Sequence, residues 1–157
     1  MALLPRLFLL RPLMLTVASR LSWLPPLVAR ITVGWVFVLS GWGKLHALPD
    51  IVEYFRTLGI PAPEIQAPFA SGTELVCGAL LLIGLATRFA AVPLMVVMTV
   101  AIMTARLEEL TSAGALFGFI EFAYIALLLY LAVAGPGPLS LDALILRSSR
   151  RDGSPSL

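Results

Sequence analysis

The sequence predicts an all-α protein: a transmembrane four-helix bundle with both termini in the cytoplasm and an N-terminal interfacial helix. Three observations lead there. Hydrophobic residues make up 59% of the 157, against about 45–50% in a soluble domain. Four apolar stretches approach the ~20 residues that a bilayer core about 30 Å thick asks of a helix. Charged residues are only 13% of the chain, and Lys and Arg outside those stretches fall mostly on one side of the layer they would span.

Taken in order, Met1 to Leu21 is apolar but interrupted by Pro5, Arg6, Arg11 and Pro12. Residues 1–24 therefore read as a helix lying on the inner leaflet, with its arginines among headgroups, rather than a fifth span or a cleaved signal peptide. The absence of acids before Asp50 resembles a transit peptide, a weaker reading. A membrane domain over 25–135 follows, with spans at about 27–45, 65–86, 89–105 and 113–134. Span three contains Pro93, a kink that neighbouring helices can cover. The run Gly135-Pro136-Gly137-Pro138 ends span four, because proline removes a donor and clashes with the preceding turn. Residues 136–157 form a cytoplasmic tail, expected to be polar and frayed from Ser148. The loop from His46 to Glu64 carries Asp50, Glu53 and Glu64, and then Gly59-Ile60-Pro61-Ala62-Pro63, so a short interfacial helix followed by a turn is expected.

Orientation comes from the flanking cations. Arg6, Arg11, Arg20, Arg88, Arg147, Arg150 and Arg151 fall on one side, against Arg56 and Arg106 on the other. The positive side faces the cytoplasm, which places both termini inside, most naturally in a bacterial inner membrane.

Composition excludes several functions. A formal charge of +2 is too small for nucleic-acid binding. One cysteine, Cys77, allows no internal disulfide, and one histidine, His46, allows no all-protein zinc site or paired-His haem. No P-loop, dinucleotide fingerprint or HExxH appears, so no metal or nucleotide is expected. Met95, Met98 and Met103 read as adaptable packing, and Gly114 with Gly118 as a helix-packing GxxxG pair.

Charges inside the spans are the most informative feature, since each costs about 2.5–3.5 kcal/mol or more at a helix centre and seldom faces lipid. At 100° per residue, Arg30, Gly34, Phe37, Gly41 and Lys44 share one face of span one. Glu74, Gly78, Leu81, Leu85 and Arg88 share a face of span two. Because the spans are antiparallel, Lys44 is level with Glu74 near the outer leaflet and Arg30 is level with Arg88 near the inner one, about 21 Å away. Glu121, early in span four, falls at the depth of Glu74. The expected cluster is Lys44, Glu74 and Glu121, with His46 and Tyr124 within reach. Its negative excess should keep one acid protonated or recruit another donor. Lys44 and Glu74 are the candidate catalytic pair, and the alternative is an ion-pair clasp that fixes helix register. Arg30 and Arg88 either snorkel to headgroups or hold an anionic or carbonyl-bearing ligand.

These same residues carry a resemblance. The chain has Arg30-Ile31-Thr32-Val33-Gly34 leading to Phe37, then Ser40-Gly41-Trp42-Gly43-Lys44-Leu45 and Leu58-Gly59-Ile60-Pro61. It continues with Glu74-Leu75-Val76-Cys77-Gly78 and Gly84-Leu85-Ala86-Thr87-Arg88-Phe89-Ala90-Ala91. From about Leu27 to Ala134 it resembles the DoxX family of small four-span membrane proteins. The resemblance implies a membrane subunit of an oxidoreductase assembly, of the kind found in a thiosulfate-to-quinone system and a thiol-handling complex. Such a subunit would hold a quinone and relay electrons or protons for a partner oxidoreductase subunit. Arg30, Lys44, Glu74 and Arg88 occupy the family's motif positions, whereas Glu121 enters by the depth argument alone. Two other functions use the same charges: a non-catalytic assembly module, and a small proton or solute transporter, ranked last because only Gly, Leu and Phe line the inner faces between the two charged levels. Contact with the lipid bilayer is common to all three, and a homo-oligomer stays open.

Overall fold

A computed structural model describes residues 15–152. Residues 1–14 of the expected interfacial helix and residues 153–157 of the tail lie outside the described residues. The fold is all-α as expected, with no strand among the described residues. Helix α1 is described over 15–20. It is followed by α2 (Leu24–His46), α3 (Leu48–Thr57), α4 (Pro63–Ile83), α5 (Thr87–Ala105), a 3-10 turn (Leu107–Glu109), α6 (Ala113–Gly118), α7 (Ile120–Ala134) and α8 (Leu141–Asp152).

Proline sets the starts of α2, α3 and α4, where it occupies the first or second position and its missing N–H leaves no helical bond unmade. Helices α2, α4 and α5 are each long and apolar enough to cross a membrane. The fourth crossing departs from the expected continuous helix over 113–134. Phe119 is extended (φ −78°, ψ 131°) and divides it into α6 and α7. Gly118 precedes the break, and a glycine in a helix costs about 1 kcal/mol relative to alanine unless close packing offsets it. No such packing exists: a Cβ on Gly118 would meet no described atom within 4 Å, and one on Gly114 only Ser112 Oγ. The expected GxxxG contact is thus absent among the described residues. At 15 residues, α7 spans roughly 22 Å, so α6 and α7 together make the crossing.

The helices close into a ring, α2 on α4, α4 on α5, α5 on α7 and α7 back on α2. Val33, Phe37, Leu81, Leu94, Leu128 and Leu131 fill its centre. The α2–α4 seam is the tightest, as the shared faces predict. A Cβ on Gly41 would lie 2.5 Å from Leu75 N and 2.7 Å from Ser71 O, and one on Gly78 would lie 2.9 Å from Val38 N. The backbones therefore touch, which only small residues permit. The bundle has two distinct ends. Lys44, α3 and the 106–112 turn mark one; Arg30, the Gly84–Thr87 turn and the 135–142 segment mark the other.

Candidate functional site

At the Lys44 end, the close α2–α4 seam brings two opposite charges together one turn beyond Gly41. Lys44 Nζ donates to Glu74 Oε1 at 2.5 Å. Glu74 is 1% exposed and the Lys44 side chain 33%, so the acid is interior and the amine reaches outward along its apolar stem. Glu74 Oε2 is buried and finds no hydrogen-bond partner among the described residues. A buried carboxylate oxygen left this way normally has a partner, because desolvation without one is costly.

The third member of the expected cluster goes elsewhere. Glu121 Oε1 accepts from Arg106 Nε at 3.4 Å, and Arg106 Nη1 also donates to both oxygens of Glu109 at 3.0 Å. The guanidinium carbon lies 5.8 Å from the centre of the Phe119 ring, so the break in span four rests against the same cation. Hydrogen bonding to Glu109, followed by the charge of Glu121, raises the Arg106 pKa above its ordinary value. Glu121 therefore pairs with a second cation, which it shares with Glu109, and the expected single cluster divides in two. Sequence reasoning assigned Arg106 to the outer loop charge alone. Its position just before the short link into span four is the signal that it shares a level with Glu121. Like Glu74, Glu121 keeps one buried oxygen, Oε2, without a described partner.

His46 and Tyr124 do not bond to the Lys44–Glu74 pair. His46 stacks on Trp42 with ring centres 4.4 Å apart, and its Nδ1 lies 2.9 Å from the Trp42 carbonyl oxygen, turning it back on its own helix. The Tyr124 ring packs on Phe37 at 5.9 Å. Among the described residues, no group of His, Cys, Asp or Glu is arranged to hold a metal ion.

The far end explains the other two candidates. Arg30 is 3% exposed, too buried to reach headgroups. It donates through Nη1 to Pro136 O at 3.3 Å and through Nη2 to Leu139 O at 2.6 Å. The guanidinium lies so close over the turn after α4 that a Cβ on Gly84, whose φ is +69°, would sit 1.9 Å from Nη1. Arg88 packs beside Gly135, with Nε 3.3 Å from where a Cβ would be. The same segment contributes Asp142, a residue the sequence did not single out. Its carboxylate accepts the N–H of Ala86 at 2.9 Å and of Thr87 at 3.4 Å, capping the start of α5. Ala86 has the left-handed φ of 48° that is costly for a residue with a Cβ, and the Asp142 contact holds it there. The breaker sequence is therefore a folded strap, and the tail continues as α8 to Asp152 instead of fraying from Ser148.

The DoxX family model matches residues 26–107, which contain Arg30, Lys44, Glu74 and Arg88. Over 132 residues the chain is 39% identical to the "Uncharacterized membrane protein Rv3486" of Mycobacterium tuberculosis, covering 75% of this chain and 80% of that one. It is 29% identical to the "Putative oxidoreductase CatD" of Bacillus subtilis, over 79% of this chain and 89% of that protein. It is also 29% identical to the "Inner membrane protein YphA" of Escherichia coli, over 74% of this chain and 86% of that protein. No solved structure gives a significant match. With a helical membrane bundle and a family model that covers more than half of the sequence, from the level of Arg30 to that of Lys44 and Glu74, this chain belongs to the DoxX family.

Proposed function

We propose that the protein is the membrane subunit of an oxidoreductase system and that the Lys44–Glu74 pair binds the oxygens of a lipid-soluble quinone. The observation that carries the reading is the pair itself: an interior carboxylate with one oxygen on Lys44 and the other without a described partner. The donor set suits the group, since a partly exposed ammonium has further N–H donors for a carbonyl oxygen and a carboxyl can accept from or donate to a hydroxyl. A bound quinone would supply the electron chemistry. The chain's residues would do the rest: Lys44 holds and polarises an oxygen, Glu74 moves a proton at Oε2, and the bundle excludes water. The name of the Bacillus subtilis relative points the same way. The reading sets the protein in a bacterial inner membrane, as two Escherichia coli relatives are named. It puts the Arg30 end in the cytoplasm, supported by Arg20, Arg30, Arg88 and Arg147 at that end.

A second reading has its own support. The pair joins α2 to α4 across a seam where backbones touch, as a register clasp in an assembly module would. One experiment separates the two. Protein purified in mild detergent should carry quinone, detected by mass spectrometry at a substantial molar ratio, and added quinone should raise its Tm. In the double variant Lys44→Leu with Glu74→Leu, an apolar pair replaces an ionic one, a change that is often neutral for stability. Loss of quinone with Tm retained supports the site, whereas quinone absent from the unaltered protein removes it.

A further inference from the structure

Helix α8 leaves its apolar residues uncovered by the bundle. Leu144, Ile145 and Leu146 are 63%, 51% and 64% exposed. Leu141, Leu144 and Ile145 fall within one arc of about 100° by the 3.6-residue repeat, Leu146 lies about 100° beyond Ile145, and positions 147, 150 and 151, all arginine, fall within an adjoining arc that starts about 20° beyond Leu144. The helix is fixed at its start. Ser140 caps it by accepting the N–H of Ala143 at 3.1 Å, and Asp142 ties its first turn to the start of α5 through Ala86, Thr87 and Gly84. Since α5 begins where a spanning helix enters the layer, α8 leaves the bundle at the membrane surface.

We infer that α8 is a membrane-surface helix that binds anionic phospholipid, with Leu141, Leu144 and Ile145 in the boundary of the acyl chains and the positive charge of positions 147, 150 and 151 drawing headgroup phosphates. Charge complementarity selects the occupant. An apolar stripe bordered by arginines, tethered at the rim of a spanning bundle that also presents Arg88 there, matches an interfacial helix on a negative leaflet, where long basic side chains flanking the apolar face reach the headgroups. The tether removes the entropic cost of bringing the helix to the surface, so a short apolar face suffices.

The test uses the full chain in a Cys77→Ser background, with Leu144→Cys or Arg147→Cys carrying an environment-sensitive fluorophore. The protein is reconstituted in nanodiscs of phosphatidylcholine alone or with phosphatidylglycerol added. The expected result is quenching of the label at 144 by a lipid-borne quencher, increased by phosphatidylglycerol, with the label at 147 open to an aqueous quencher. Combining Arg150→Glu and Arg151→Glu should reduce the docked-to-undocked ratio in the anionic discs by at least about tenfold, and much less in the neutral discs. A label at 144 that stays open to the aqueous quencher in both lipids overturns the proposal. So does one that is protected from that quencher yet untouched by the lipid-borne one, which is the signature of protein covering the face.

Discussion

The guanidinium of Arg30 is bound by main-chain carbonyls, and carbonyls leave no mark in a pattern of side chains. The helical repeat told which way Arg30 points, into the bundle, but offered only a ligand or headgroups as acceptors. The acceptors are Pro136 O and Leu139 O, presented by the strap that the Gly-Pro repeat folds into. Asp142 escaped notice for the same reason, since its donors are the N–H groups of Ala86 and Thr87. Lys44 and Glu74 were legible because each is the other's partner at matching depths. Two outcomes follow at this scale. Arg30→Met leaves both carbonyls without their donor and should lower unfolding free energy in micelles by about 3 kcal/mol, read as a shift in the denaturant midpoint. Asp142→Ala removes the acceptor for two N–H groups at the start of α5 and should cost about 1 kcal/mol, with Asp142→Asn costing less because it keeps one oxygen.

Glycine distribution separates helix faces that touch from faces that do not. In α2, Gly41 meets backbone of α4 while Gly43, two residues on, meets no described atom within 4 Å. Gly41→Leu should therefore force α2 and α4 apart at the level of Lys44 and Glu74, lowering Tm by the equivalent of about 1–3 kcal/mol. Gly43→Ala should be neutral or stabilising by up to about 1 kcal/mol, since only helix propensity changes. The contrast is the check, and equal effects would contradict the seam. Face arithmetic made α2 and α4 readable because residues on both helices, glycines and charges alike, repeat at the same spacing. Span four was not readable in that way. Its apolar composition supports a continuous helix, whereas the chain breaks at Phe119, beside a Gly118 that no described neighbour packs against.

Across the whole molecule, acids concentrate at one end and arginines at the other. Asp50, Glu53, Glu64, Glu74, Glu108, Glu109 and Glu121 belong to the end that carries Lys44, Arg56 and Arg106, while Arg20, Arg30, Arg88 and Arg147 belong to the other with Asp142 among them. Surface pairs such as Arg56 with Glu64 at 2.6 Å neutralise the few cations on the acidic side, so the imbalance across the layer is larger than the net charge suggests. Positive flanks stay on the cytoplasmic side during insertion, and an even number of crossings returns the chain to the side where it began. Single cysteines in a Cys77→Ser background report this directly. With Asp50→Cys on α3, a membrane-impermeant maleimide should label intact cells stripped of their outer membrane. With Arg147→Cys on α8, it should label only after the inner membrane is opened. Both positions are exposed, so accessibility is set by the membrane and not by the fold. The reverse pattern would turn the molecule over, moving the Lys44–Glu74 pair to the cytoplasmic half and any proton taken up there to the cytoplasm.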